Sequence, residues 1–197
     1  LMGFYPMKDA YTLNQPHTRF PSHTDRKLTP GVDLTTGSLG QGASTAAGAA
    51  LGNKIDGRTN RVFCVVGDGE ADEGQVWEAF HFAYAHKLDN LIYFIDNNGY
   101  QLDGRTADIL DHGDIAKKAA GFGLYTQEID GHDVQAIYDA IENACAKKGV
   151  PSCIVLDTIK GKGATFAEPK REHSSQPSEE TWQEAIAAAQ QALAALD

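Results

Sequence analysis

The clearest pattern along the chain is a pair of short apolar runs, each followed by a polar turn. The first run covers Arg61 to Val66 and the second covers Leu91 to Ile95. Runs of this length, bounded by Gly and Asn, predict strands that are buried on both faces. The apolar spacing of Gln75 to Lys87 predicts a crossover helix between them. We therefore expect the two strands to lie parallel in one sheet.

The same alternation continues toward the C-terminus. Two further strands are predicted at Leu124 to Ile129 and at Ser152 to Asp157, with an amphipathic helix at Val134 to Lys147 between them. Repetition of strand, helix and strand predicts an α/β fold, in which a doubly wound parallel sheet carries helices on both faces. We expect residues 1–197 to form a single domain.

The remaining segments are predicted as loops and two further helices. Residues 1–36 are rich in Pro, Thr, His and Asp and predict loop, and Glu168 to Glu179 predicts a surface loop. A helix of small residues is predicted to begin near Leu39 and to run through Gly52. The Ala-rich stretch from Glu180 to Leu196 predicts a terminal helix that lies on the body or on another subunit.

Composition narrows the class of protein. The 197 residues are 42% hydrophobic and 22% charged, which is ordinary for a globular domain. A formal net charge of -10 argues against a nucleic-acid partner, because phosphate contacts need clustered basic residues. Cys64, Cys145 and Cys153 are odd in number and predict free, buried thiols in a reducing cytoplasm. No apolar run is long enough to predict a membrane span.

Polar groups follow both central strands at the point where each strand ends. Asp68 comes directly after the first run, and Asn98 follows the second. The carboxyl ends of parallel strands lie at one edge of a sheet, where such folds bind ligands. Mg²⁺ and Ca²⁺ prefer oxygen donors, and Mg²⁺ commonly keeps positions for phosphate oxygens. With a turn carbonyl near Tyr100 as a third ligand, this edge predicts a site for a metal and a diphosphate.

Other phosphate and metal motifs fit poorly. A calcium loop that starts at the first acidic residue of this turn requires Gly at its sixth position and Glu at its twelfth, where the chain has Glu73 and Ala79. A dinucleotide-binding G-x-G-x-x-G would need Gly where Asp72 stands. Lys162 is followed by Gly163 rather than by Ser or Thr, which excludes a phosphate loop of the G-K-[ST] kind.

Gly67-Asp-Gly69 and Asp96-Asn-Asn98 together resemble the signature of thiamine-diphosphate enzymes. Four further motifs resemble the transketolase family in the same order along the chain: Pro21-Ser-His23, Thr35-Thr-Gly-Ser-Leu-Gly-Gln-Gly42, Glu128-Ile-Asp-Gly-His-Asp133 and Lys160-Gly-Lys-Gly163. The similarity runs from about Leu13 to the end. It implies the diphosphate-binding domain fold of that family, with thiamine diphosphate and Mg²⁺ (or Ca²⁺) held by Asp68, Asn98 and the carbonyl of Tyr100.

The resemblance also implies roles for residues around the cofactor. Backbone groups of Gly37 and Leu39 would contact the aminopyrimidine ring, and the amide of Gly69 would lie against the diphosphate. Glu73 would meet its counterpart across a dimer and relay protons toward the cofactor. Two simpler interpretations stay open, namely a capped turn at Gly37 to Gly42 and a solvated Glu73 in the first turn of a helix.

Two histidines are candidates by the same resemblance. His23 would contact the substrate phosphate, and His173 would lie near the thiazolium and its diphosphate. Both are in predicted loops, where a surface histidine is the simpler interpretation. The family usually has Gly or His after the second of them, whereas this chain has Ser174. His112 has no predicted chemistry, and His132 is expected to support its own turn.

The resemblance implies a transferase that moves a two-carbon ketol unit between sugar phosphates. The Glu that activates thiamine diphosphate belongs to a pyrimidine-binding domain in that family, and we find no counterpart among the 197 residues. The chain begins at Leu1 in what resembles the middle of a domain. We therefore expect an upstream segment, with histidines that contact cofactor and substrate, to be missing.

These features predict the N-terminal subunit of a two-subunit transketolase of pentose phosphate metabolism. Its expected partner is a C-terminal subunit with the pyrimidine-binding domain, and the expected assembly is a cytoplasmic heterotetramer. A related thiamine-diphosphate reaction is an alternative, either one like deoxyxylulose phosphate synthesis or a transketolase for an unusual or sulfonated sugar. A cofactor-binding scaffold without turnover is a further alternative.

Overall fold

The computed structural model describes residues 3–168, 170 and 173–195. Seven α-helices, one short 3-10 helix (Glu70–Asp72) and six strands are assigned within them. The helices are α1 (Met7–Ala10), α2 (Gln41–Ile55), α3 (Gly74–Ala85), α4 (Thr106–Ile109), α5 (Ile115–Gly121), α6 (Val134–Ala146) and α7 (Glu179–Ala194). The strands are β1 (Val62–Gly67), β2 (Leu91–Asn97), β3 (Tyr100–Gln101), β4 (Gly104–Arg105), β5 (Tyr125–Asp130) and β6 (Ser152–Asp157).

Four strands form a parallel sheet in the order β1-β2-β6-β5. Helices α2, α3 and α5 contribute to one apolar cluster with β1, β2 and β6, whereas α6 packs with β2 and β6 on the opposite face. The predicted doubly wound sheet with helices on both faces is confirmed. All four predicted strands are found within two residues of their expected bounds.

The strand β1 differs from its prediction in burial. Cys64 and Val66 point into the core, but Phe63 is 52% exposed and Val65 is 67% exposed. The prediction that this strand is buried on both faces is therefore wrong. In the described chain β1 lies at the edge of the sheet with one covered face, and its other face is apolar and exposed. The strand β2 behaves as predicted, with all five residues from Leu91 to Ile95 buried.

The loops contain short elements that the sequence pattern did not predict. The strands β3 and β4 form a small antiparallel hairpin directly after β2, and α4 and α5 follow it. Each is too short to show a clear hydrophobic period, which explains why the pattern missed them. Residues 3–36 form turns apart from the four-residue α1, as expected.

The predicted C-terminal loop and helix can be compared with the structure only at the described residues. The helix α7 ends at Ala194, and the predicted end at Leu196 lies outside the described residues, as does part of the predicted loop from Glu168 to Glu179. Trp182 of α7 packs edge-on against Phe166, with ring centroids 5.0 Å apart.

Two further expectations concern cysteines and membranes. The cysteines are free in the described structure, but Cys145 is only half-buried, so the prediction of burial is wrong for it. It lies near the end of α6, whose burial is limited to a narrow stripe that includes Ala140 and Ala144. None of the described helices combines the length and the hydropathy needed to cross a membrane.

Candidate functional site

The turns that follow β1 and β2 begin side by side. Gly67 is paired with Asp96 in the ladder, and the amide of Asp68 donates to the carbonyl of Asp96 at 3.1 Å. One carboxylate oxygen of Asp68 accepts from the amide of Gly69 at 2.8 Å, and the other accepts from the amide of Gly99 at 2.7 Å. The structure thus brings the Asp68 turn into contact with the turn that contains Asn98.

Asn98 is fixed by hydrogen bonds at both ends of its amide. Its Nδ2 donates to Asp96 Oδ2 at 3.0 Å, and its Oδ1 accepts from the amide of Tyr100 at 3.0 Å. Asp96 also accepts from the hydroxyl of Thr158, which follows β6. An amide oxygen has two lone pairs, so Asn98 Oδ1 can accept one hydrogen bond and still bind a cation.

Asp68 is an unusual group for a protein interior. Its side chain is buried, and burial raises its pKa, against the opposing effects of the amide hydrogen bonds from Gly69 and Gly99 and of nearby His112. No Lys or Arg of the described segments forms an ion pair with it. A buried carboxylate without a basic partner is costly, and a bound divalent cation would offset that cost.

The ligand set predicted from the sequence fits this arrangement. It consists of one carboxylate, one side-chain amide and one main-chain carbonyl, the last from Tyr100. Within residues 3–168, 170 and 173–195, no three His, Cys, Asp or Glu side chains converge in a way that could hold a metal. A metal at this edge would therefore depend on neutral oxygens and on phosphate oxygens in addition to Asp68.

Gly69 lies where the hairpin β3–β4 approaches the Asp68 turn. A Cβ at this position would be 2.6 Å from the Cβ of Gln101, which no real side chain tolerates. Glycine is required here by close packing. Its amide donates to Asp68 Oδ1 in this structure, so the contact between the Gly69 amide and a diphosphate stays a prediction.

Gly37 and Leu39 line a cavity of about 680 Å³, which extends along the exposed face of β1 to Phe63 and Glu70. The ring of His23 packs on Gly37, where a Cβ would lie 2.6 Å from His23 Cδ2. The structure therefore brings these three predicted residues together. Asp68, Asn98 and Tyr100 do not line this cavity, and Glu70 lies between the two groups.

His173 lies near the hairpin β3–β4. Its Nδ1 is 3.5 Å from Lys160 Nζ, and it lines a cavity of about 350 Å³ together with Tyr100 and Gln101. The loop after β6 is tied down by His132, whose Nε2 accepts from the amide of Ile159 at 2.8 Å. His132 therefore supports a neighbouring loop as well as the turn in which it lies.

Glu73 is the predicted residue with the fewest constraints. It is exposed at the N-terminus of α3, and its side chain makes no capping hydrogen bond there. This position is compatible with a solvated first-turn Glu and with a contact to another subunit, so both interpretations remain predictions.

Sequence reasoning missed three residues near the site. Lys160 lies within a recognised motif and Glu70 directly follows another, so a signal for them existed. No sequence signal pointed to His112, because only the folded chain brings it near Asp68. Its Nδ1 is 3.7 Å from Asp72 Oδ1, and both side chains are largely buried.

Comparisons with known proteins show the family to which the chain belongs. A family model described as the thiamine diphosphate-binding domain of transketolase matches residues 1–194. The chain is 47% identical over 188 residues to a 6-deoxy-6-sulfo-D-fructose transketolase subunit of Clostridium sp. (strain MSTE9), covering 95% of the chain and 68% of that relative. It is 37% identical over 170 residues to one of the subunits of an apulose-4-phosphate transketolase from Actinobacillus succinogenes, covering 86% of the chain and 61% of that relative.

Solved structures give the same result. The fold superposes on transketolase from Campylobacter jejuni with a TM-score of 0.86 at 30% identity, covering 92% of this chain. The chain spans only 30% of the length of that enzyme. The transketolase of Pichia stipitis matches with a TM-score of 0.75 at 27% identity. The chain therefore belongs to the transketolase family and contains the thiamine diphosphate-binding domain of that family.

Proposed function

We propose that residues 1–197 act as one diphosphate-binding domain, the N-terminal subunit of a two-subunit transketolase. The proposed partner is a C-terminal subunit that carries the pyrimidine-binding domain, and the proposed assembly is a heterotetramer. The observation that carries the proposal is the meeting of two strand-end turns around Asp68, a buried carboxylate without a basic partner in the described chain. Two relatives that are themselves named transketolase subunits support it.

The Asp68 turn, together with the Asn98 turn that it contacts, is called the metal turn. In this proposal the metal turn holds Mg²⁺ (or Ca²⁺) through Asp68, Asn98 and the carbonyl of Tyr100. The amide of Gly69 faces the diphosphate. Oxygen ligands suit either cation, and phosphate oxygens with water would complete the coordination. The buried position of Asp68 strengthens its attraction for the cation, because water screens charges weakly there.

Lys160 and His173 are proposed to contact the diphosphate together. Lys160 Nζ lies 3.5 Å from His173 Nδ1, so one anion could contact both side chains, and the lysine ammonium would supply the positive charge. Backbone groups of Gly37 and Leu39 would orient the aminopyrimidine, and Glu73 would transmit protons between subunits. Bound thiamine diphosphate supplies the electron sink for transfer of a two-carbon ketol unit.

The proposed substrates are sugars with an anionic end. Sugar phosphates are the first candidates, and a sulfonated ketose is a second, because the relative at 47% identity is named for 6-deoxy-6-sulfo-D-fructose. His23 lies against Gly37 at the rim of the larger cavity, where it is exposed to an incoming anionic group. Phosphate and sulfonate share the tetrahedral oxygens that such a histidine would bind.

The test is an assay with and without the partner. The chain and the product of its neighbouring gene would be purified together and supplied with thiamine diphosphate and Mg²⁺. We expect ketol transfer to ribose 5-phosphate from xylulose 5-phosphate or from 6-deoxy-6-sulfofructose, and only when both proteins are present. Turnover by the chain alone would refute the two-subunit proposal. Cofactor binding without turnover of any ketose would favour a scaffold.

A further inference from the structure

One side chain joins the two halves of the proposed cofactor site. Glu70 Oε1 accepts from the amide of Gly40 at 2.9 Å, and its Oε2 accepts from the amide of Gly67 at 3.2 Å. Gly40 directly follows the turn that contains Gly37 and Leu39, and Gly67 directly precedes Asp68. The half-buried carboxylate of Glu70 therefore connects a turn that lines the large cavity to the metal turn.

The surrounding packing makes this connection geometrically demanding. Gly40 has a left-handed backbone with φ of 78°, and a Cβ there would lie 3.2 Å from the Cβ of Glu73. The first turns of α2 and α3 are also joined side chain to side chain, since Gln41 donates to Gln75 at 2.7 Å and Gln75 donates to Ser44 at 2.9 Å. These contacts hold the first turn of α2 close against the first turn of α3.

We propose that Glu70 is a positioning residue. It sets the distance between the turn that contains Gly37 and Leu39, which would contact the aminopyrimidine, and the metal turn. The proposal rests on the cofactor site described under the proposed function and adds a residue to it. The two backbone amides that Glu70 accepts from, those of Gly40 and Gly67, are not proposed to contact the cofactor. Its carboxylate acts by accepting two amides from separate segments, and its negative charge also suits the N-terminal end of α2.

The replacement Glu70→Gln tests the need for two acceptors. Glutamine has nearly the same shape, but its amide nitrogen would face an N–H donor and cannot accept from it. One of the two backbone amides would lose its partner, and the Gly37 to Leu39 turn would shift relative to Asp68. We expect a KM for thiamine diphosphate about tenfold higher, in line with the loss of one charged hydrogen bond, and little change in kcat at saturating cofactor.

Asp89→Asn is the matched control. Asp89 Oδ2 accepts from the amide of Gly149 at 2.8 Å, and its Oδ1 binds Lys54 Nζ at 2.7 Å near the other end of α2. It is also a carboxylate that joins separate segments, but it lies away from both turns. The control variant should lower the unfolding temperature while leaving the KM for thiamine diphosphate unchanged.

Both variants would be measured in the complex with the partner, and amide hydrogen exchange would be followed in the full chain. Faster exchange at Gly40 together with the raised KM, in Glu70→Gln alone, is the expected result. Faster exchange at Gly40 with an unchanged KM would overturn the positioning role. If the unaltered complex bound no thiamine diphosphate, the proposed function itself would fail, and the role of Glu70 would fail with it. Exchange at Gly40 would still report whether the hydrogen bond exists.

Discussion

The Asp68 turn and the His173 segment both adjoin the hairpin β3–β4, but they are held very differently. Asp68 is fully buried, and each of its carboxylate oxygens accepts a backbone amide at less than 3 Å. His173 is exposed, and its ring lies 3.5 Å from Lys160. We therefore expect the first region to be rigid before any ligand binds and the second to adapt. A metal needs fixed geometry, and a diphosphate or substrate tolerates adjustment.

The replacement Asp68→Ala should have the largest effect. It removes the only charged member of the proposed ligand set, and neutral Asn98 cannot offset the lost hydration of the cation. We expect Mg²⁺-dependent affinity for thiamine diphosphate to fall by more than about 100-fold, measured by calorimetric titration of the complex with the partner. Asp108→Ala, which removes a carboxylate from the exposed α4, should retain normal affinity. Unchanged affinity in Asp68→Ala would remove Asp68 from the site.

The replacement His173→Ala should have a moderate effect. An exposed histidine that adapts to a phosphate contributes about one charged hydrogen bond, so cofactor affinity should fall by roughly tenfold. His86→Ala, another exposed histidine, should have no effect. A loss as large as that of Asp68→Ala would show that the two regions are equally important for binding. The comparison of a rigid and an adaptable side would then be wrong.

Acidification should weaken cation binding by Asp68. Burial raises the pKa of Asp68 in the folded apoprotein above its unfolded value, so its ionisation opposes folding at neutral pH. That cost disappears as the pH falls below the pKa of the unfolded chain, whereas cation binding requires the carboxylate. The rise in Tm on adding Mg²⁺ and thiamine diphosphate should therefore shrink as the pH falls toward the raised pKa of Asp68 and below it. A rise in Tm that is independent of pH would contradict the assignment.

The replacement Tyr93→Phe should have the smallest effect on function. The buried hydroxyl of Tyr93 donates to the carbonyl of Ala43 at 3.0 Å and so joins α2 to the sheet. Its removal should lower the free energy of unfolding by about 1 kcal/mol, measured by urea denaturation. Cofactor affinity should stay within about twofold of the unaltered protein, since the hydrogen bonds at Asp68 and Glu70 are kept. A larger loss of affinity would mean that the rigidity of the metal turn depends on the whole α2 packing.

The same contrast explains what the sequence could predict. The strands and the two strand-end turns were predictable, because burial imposes apolar runs and because a parallel sheet aligns its carboxyl ends. The exposure of Phe63 and Val65 was not predictable, since an apolar run does not say whether its strand lies at an edge. The contact of Glu70 with Gly40 and that of His112 with Asp72 come from long-range packing, which leaves no periodic pattern. The surroundings of His173 lie in a loop whose sequence departs from the family at Ser174.

The most direct test is the position of the metal in a crystal of the complex with the partner, grown with thiamine diphosphate and Mn²⁺. Anomalous scattering from Mn²⁺ would locate the ion without assumptions about the surrounding density. We expect one peak about 2.0 to 2.3 Å from an oxygen of Asp68 and from Asn98 Oδ1, in contact with the diphosphate. A diphosphate-bound Mn²⁺ peak elsewhere, with Asp68 still hydrogen-bonded only to Gly69 and Gly99, would contradict the proposed site.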